Sequence, residues 1–295
     1  MKTITTTALL LALCAAFSAA SAQVTFNFST GTPNDLIAMA LRPDSSGKFE
    51  IEAADDFLLT QATTINSATF TGLLPNFNSS VAGVTVEIYR VFPRDSSTAR
   101  IPQVPTRVNS PSDVAFASRS SDDSTLSFST SVQSLTFTAL NSVQPGGIHP
   151  FPNQNTGGNG AITGAEVLFT VNFATSFSLP ADHYFFVPQV QLENGDFYWL
   201  SANRPISGAG TTPFAPDLQA WTRDASLNPD WLRVGTDIVG GTTPPTFNAA
   251  FTLNGVTGTS TAVPEPSTFG ITGALALAGL VLVRRGQRKA QRCAD

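Results

Sequence analysis

The feature that most constrains the fold of this chain is a series of short segments in which apolar and polar residues alternate. Val24–Phe28, Phe49–Ala53, Thr64–Phe70 and Val84–Tyr89 all show this alternation, and turn residues separate them. Successive side chains of a β-strand point to opposite faces, so the pattern is typical of strands that bury one face. It therefore favours antiparallel β-structure over helices.

The same pattern continues through the second half of the chain. It predicts further strands at residues 125–129, 134–138, 166–173, 176–179, 180–188, 197–200, 218–221, 231–234 and 247–253. Asn194-Gly195 between two of these runs is a hairpin signal. Residues 35–41 fit neither a helix nor a strand period, and residues 93–123 are predicted as a long loop. About a dozen short strands predict an all-β protein, a two-sheet antiparallel β-sandwich that is jelly-roll-like.

In residues 23–262, the charge restricts the possible partners and the cysteine content restricts how the fold is stabilised. Residues 23–262 contain ten basic and nineteen acidic side chains and no cysteine, since Cys14 and Cys293 are the two cysteines of the chain. Such a domain must be held together by its core, without disulfides. Its acidic balance disfavours nucleic acid and anionic lipid as partners.

The first 22 residues have the organisation of a secretory signal peptide. Met1-Lys2 supplies a basic start, residues 8–17 are mostly apolar, and Ala20-Ser21-Ala22 offers a small-residue cleavage site before Gln23. These three parts in this order predict removal of residues 1–22 during export.

The C-terminal segment combines an extended motif, an apolar run and a basic tail. The motif is Val263, Pro264, Glu265, Pro266 and Ser267; the tail cations include Arg284, Arg285, Arg288 and Lys289. The two prolines favour extended backbone. The uncharged run from Phe269 to Val283 would make a helix of roughly 22 Å against a hydrocarbon core of about 30 Å, which flanking residues can extend. A transmembrane helix at residues 268–283 with its basic end in the cytoplasm is therefore predicted.

These residues resemble the PEP-CTERM sorting signal of Gram-negative exported proteins. The resemblance implies a sorting signal at 263–292, with a motif at 263–267, a helix at 268–283 and a tail at 284–292. Together with the patterns above and a Gly/Thr/Ser-rich linker at 254–262, it gives the order signal peptide 1–22, exported β-sandwich 23–253, linker and sorting signal. It also implies exosortase, a membrane peptidase, as a partner. The protein would be anchored transiently in the inner membrane and then reach the cell surface or the extracellular space.

Catalytic motifs are scarce in the exported domain. It has two histidines, His149 and His183, and lacks a paired-histidine metal motif, a nucleophile elbow and a phosphate loop. We therefore predict a non-enzymatic protein without a cofactor. The resemblance to exported, exosortase-processed proteins implies a structural or adhesive role associated with exopolysaccharide and biofilm.

Two other functions stay open at this point. A carbohydrate-binding module could use Tyr198, Trp199, Trp221 and Trp231 as sugar contacts, with exopolysaccharide as partner. Because Tyr198 and Trp199 are adjacent in a strand and must face opposite surfaces, one of them is the candidate for the solvent side. A glycan hydrolase or lyase would need two carboxylates about 5–9.5 Å apart in a cleft.

A calcium site is a separate prediction. Asp55 and Asp56 are adjacent acids that could supply oxygen ligands for the ion.

Overall fold

A computed structural model describes residues 24–44, 50–97, 109–143, 155–203, 207–208, 219–224 and 231–257. All of these residues belong to one unit, Val24–Gly258. The predicted signal peptide, the motif 263–267, the predicted transmembrane helix 268–283 and the basic tail lie outside the described residues. Within the described residues, none of the helices combines the length and the apolar character needed to cross a bilayer.

Strands dominate the described part of the chain. They are β1 (Val24–Ser29), β2 (Pro33–Leu41), β3 (Ile51–Leu59), β4 (Thr63–Leu74), β5 (Val81–Arg90), β6 (Ala117–Ser120), β7 (Leu126–Ala139), β8 (Ser142–Val143), β9 (Ile162–Leu179), β10 (Asp182–Leu192), β11 (Phe197–Ala202), β12 (Ser207–Gly208), β13 (Trp221–Asp224), β14 (Trp231–Arg233), β15 (Asn248–Ala249) and β16 (Phe251–Thr257). One turn of π-helix, Val234–Val239, follows β14.

The strands form two sheets. The larger sheet has ten strands, with the path β12-β1-β16-β4-β11-β2-β8 and with β7, β9 and β15 joined to it; the smaller has six, in the order β14-β13-β3-β10-β5-β6. The pairs are antiparallel except β2–β8, which is parallel. The prediction of an all-β protein with two sheets of antiparallel strands is therefore confirmed, apart from this short pair.

The core lies between the inner faces of the two sheets. Aromatic side chains from both sheets meet there, and Phe186 of the smaller sheet stacks on Phe251 of the larger with ring centroids 5.1 Å apart. Trp199 packs edge-on against the same pair. Each of these three rings is at most 1% exposed. Burial of large apolar surfaces is the main favourable term in folding, so this contact joins the two sheets.

Residues 35–41, whose conformation the sequence left undecided, belong to β2. Ile37, Met39 and Leu41 point into the main core, whereas Ala38 and Ala40 pack in a smaller cluster on the other face. Both faces are buried from Ile37 to Leu41, so this part of the sequence lacks the apolar–polar alternation of a half-exposed strand.

One predicted hairpin and one predicted domain boundary are wrong. Asn194-Gly195 joins β10 of the smaller sheet to β11 of the larger, so it does not close a hairpin; β10 is already paired with β3 and β5 on its two sides. The linker does not begin at residue 254, because β16 pairs with β4 and β1 as far as Thr257.

The outer face of the smaller sheet is covered in part by the segment 109–116. The indole Nε1 of Trp231 donates a hydrogen bond to the carbonyl oxygen of Ser112 at 2.9 Å. Ala115 packs against the buried cluster that contains Trp231, Trp221 and Tyr89. Some polar side chains on this face are therefore enclosed, among them Glu52 and Gln189.

Candidate functional site: a buried carboxylate cluster

Three glutamates meet on the outer face of the smaller sheet. Glu52 lies in β3, Glu50 directly precedes that strand, and Glu87 lies in β5. One carboxylate oxygen from each lies within 4.8 Å of the other two. Side chains two residues apart in a strand share a face, which places Glu50 and Glu52 together. Glu87 reaches them across β10, where it pairs with Val187.

Arg223 compensates one of the three negative charges. It lies opposite Glu52 in the β13–β3 pair, and its guanidinium contacts the Glu52 carboxylate. It also donates to the Tyr89 hydroxyl at 2.9 Å, and it lies 4.7 Å from the centroid of the Trp231 ring. Glu52 is 0% exposed and Arg223 is 8% exposed. The ion pair is thus held in a protein-enclosed setting, where charges are screened weakly.

Tyr89 and Gln189 connect the three carboxylates. The Tyr89 hydroxyl lies 2.8 Å from Glu52 Oε1 and 3.1 Å from Glu87 Oε2. Gln189 Nε2 donates to Glu50 Oε1 at 2.7 Å and lies 3.4 Å from Glu87 Oε2. Gln189 is 2% exposed, and its side-chain oxygen has no hydrogen-bond partner among the described residues.

The proximity of the carboxylates changes their proton affinity. Burial, together with the charge of Glu52, raises the pKa of Glu87 to about 8. The same two causes raise the pKa of Glu50, and burial raises that of the Tyr89 hydroxyl. Desolvation and like charges both disfavour the ionised carboxylate. The arrangement therefore suits groups that share a proton or that coordinate one cation.

The predicted calcium pair is wrong as a joint site. Asp55 faces the inside of the fold, where its Oδ2 accepts a hydrogen bond from the Ala249 amide at 2.7 Å. Asp56 faces the other side of β3, with its Oδ2 3.1 Å from His183 Nε2. Adjacent strand residues point to opposite faces, so these two carboxylates cannot coordinate one ion together.

The predicted sugar-contact residues do not form a surface platform. Tyr198, Trp199, Trp221 and Trp231 are all at most 5% exposed. Tyr198 and Trp199 do face opposite sides of β11, as expected. The expectation that one of them faces solvent is wrong, because the outer side of β11 is covered by a cluster that includes Phe137 and Ile162.

Sequence reasoning missed the carboxylate cluster. The usable signal was the alternation that places Glu50 and Glu52 on one face of β3 and Glu87 on one face of β5. The sequence did not show that β10 brings these two faces together.

Comparisons with known proteins find no matching family model, curated protein or solved structure. The fold and the site thus define a class only: an all-β protein of two facing, mainly antiparallel sheets that carries a partly buried carboxylate cluster on its smaller sheet.

Proposed function

We propose that this is an exported protein, processed by exosortase, that acts at the cell surface or in the extracellular matrix in a non-enzymatic structural or adhesive role associated with exopolysaccharide and biofilm. The observation that carries the proposal is the C-terminal order of motif, uncharged run and cations: Pro264-Glu265-Pro266, then residues 268–283, then Arg284, Arg285, Arg288 and Lys289. The signal peptide 1–22, the transmembrane helix, the transient inner-membrane anchoring and the jelly-roll-like arrangement are parts of the same proposal.

The folded body supports this function in one respect. Its two sheets share a core of their own, and residues 23–262 contain no cysteine. A domain of this kind needs no disulfide to fold, so it is independent of oxidative folding after export. The carbohydrate-binding alternative, in contrast, loses the exposed aromatic residues on which it depended.

The test is replacement of Pro264, Glu265 and Pro266 by alanine in the full chain. We expect export to be unchanged, because it depends on the signal peptide, and C-terminal processing to stop. The variant should accumulate in the inner membrane with residues 268–295 still attached, while the parent is released. Fractionation followed by mass spectrometry of the C-terminus distinguishes the two forms.

The matched control replaces Thr259, Ser260 and Thr261 by alanine. These three residues end two positions before Val263 and include no proline, so their replacement should leave release at the level of the parent protein. Equal release of the motif variant and the parent would contradict exosortase processing at this motif.

A further inference from the structure

We propose that the cluster of Glu50, Glu52 and Glu87 binds one calcium ion, with the side-chain oxygen of Gln189 as a further ligand. The proposal rests on the geometry of the smaller sheet and is independent of the proposed export and processing.

The donor set selects a hard cation. The nearest oxygens of the three carboxylates lie within 4.8 Å of one another, and the cluster offers no histidine or cysteine. Two oxygens bound to one calcium at about 2.3–2.6 Å can lie no more than roughly 5 Å apart. The three carboxylates can therefore coordinate one ion with little movement. Zinc prefers nitrogen and sulfur ligands, so an all-oxygen cluster disfavours it.

Gln189 gives an independent indication of a ligand. Its carboxamide nitrogen donates to Glu50 at 2.7 Å, so the amide group lies within the cluster. Its oxygen is buried without a hydrogen-bond partner among the described residues. A buried amide oxygen left without a partner destabilises the folded state. The amide nitrogen is the atom that faces Glu50 and Glu87, so a half-turn of the amide would direct the oxygen at a cation held between these carboxylates. Coordination of the cation would then satisfy the oxygen.

The charge of the cluster matches a divalent ion. Three carboxylates and the Arg223 guanidinium have a net charge of −2 when all are ionised. Glu52 can keep its contacts with Arg223 and Tyr89 while binding a cation, because each carboxylate oxygen has two lone pairs.

Calcium fits the cluster better than magnesium does. Glu50 and Glu87 are half-buried, which allows water to complete a coordination shell of six to eight oxygens. Calcium tolerates such an irregular shell. Magnesium demands near-octahedral geometry and gives up its own waters reluctantly.

The experiment is a titration of the metal-free full chain with calcium chloride, in which isothermal titration calorimetry measures the heat of binding. The chain is first treated with a chelator and kept in non-ionic detergent because of its predicted membrane helix. We expect one strong site per chain, weaker binding of magnesium, and a thermal midpoint that rises with calcium and falls with chelator, since a ligand of the folded state stabilises it.

Two isosteric variants locate the site. Glu87→Gln removes one ligand charge and should weaken calcium binding at least tenfold. Glu166→Gln removes an equivalent charge on β9, away from the cluster, and should leave the affinity unchanged. Unaltered affinity of the Glu87→Gln protein would overturn the site.

Two measurements on the unsubstituted chain keep the proposal testable even if the Glu87→Gln protein fails to fold. A thermal midpoint that is the same in millimolar calcium and in chelator would overturn calcium binding. Magnesium binding as tight as that of calcium would overturn the assignment of the ion. Weaker calcium binding by Glu50→Gln, at a half-buried position, would support the same ligand set.

Discussion

Removal of the Arg223 guanidinium tests how the negative charge of the carboxylate cluster is compensated. The substitution Arg223→Met keeps an unbranched apolar chain beside Trp231 but removes the positive charge. It leaves Glu52, which is 0% exposed, without its contact to a cation and close to two other carboxylates. The structure therefore predicts a large loss of stability.

The size of the loss follows from the burial of the pair. Removal of one partner from a buried ion pair costs about 3–5 kcal/mol, because the remaining charge stays desolvated. The guanidinium also lies over the rings of Trp231 and Tyr89, at 4.7 and 5.3 Å from their centroids. The ring contacts and the ion pair with Glu52 are made by the same guanidinium, so their energies are not additive. We therefore keep the expected loss at about 3–5 kcal/mol.

Arg94 provides the matched control. It contacts Asp182 at the surface, where the two side chains are 55% and 25% exposed. Surface ion pairs contribute about 0–1 kcal/mol, so Arg94→Met should cost no more than that. The same substitution is thus made in an enclosed and in an exposed ion pair.

The assay is urea unfolding in the presence of chelator, with tryptophan fluorescence as the signal, in a double-mutant cycle with Glu52→Gln. In the double variant the stranded charge is absent, so its loss should be at least about 2 kcal/mol smaller than the sum of the two single losses. The reasoning would be refuted if Arg223→Met cost less than about 1 kcal/mol, or if the two single losses were additive.

Two further predictions concern the core and one surface carboxylate. Phe186→Ala should cost about 3–5 kcal/mol in urea unfolding, because it removes a ring stacked at the centre of the core, whereas Phe77→Ala, at a 58% exposed position, should change stability by no more than about 0.5 kcal/mol. Burial raises the pKa of the Glu166 carboxyl in the folded protein above ~4.3, the value of an unperturbed glutamate. The free energy of unfolding of the unsubstituted protein should therefore fall relative to that of Glu166→Gln as pH rises from ~4.3 to the folded-state pKa of this carboxyl. A difference in the free energy of unfolding between these two proteins that does not change with pH across that range would count against burial of the Glu166 carboxyl.

Alternation in the sequence predicted most strands but not their continuity. Residues 125–129 and 134–138 were predicted as two strands, and the structure has one, β7. The same is true of 166–173 and 176–179, which both belong to β9. Register shifts in the β7–β9 and β4–β9 pairs explain the difference. A bulge interrupts the alternation of side chains without ending the strand.

The candidate site could not be predicted from the sequence, for a different reason. Alternation correctly placed Glu50 and Glu52 on the side of β3 that faces away from the main core. That side is enclosed, because Arg223, Trp231 and Ser112 come from segments far along the chain to cover it. Periodicity reports which residues share a face, but only the strand pairing shows what lies over that face.

The pairing of β1 with β16 has a consequence for the order of folding. Val24 lies opposite Thr257, 233 positions further along the chain, and β16 lies between β1 and β4 in the larger sheet. Contacts between residues so distant in sequence form slowly, since a long loop must close before they contribute. A chain that is synthesised or translocated from its N-terminus holds its first strand without this neighbour until the last one emerges. The sheet is therefore completed in a final step, and a nascent body that stops before Phe251 lacks the strand that joins β1 to β4.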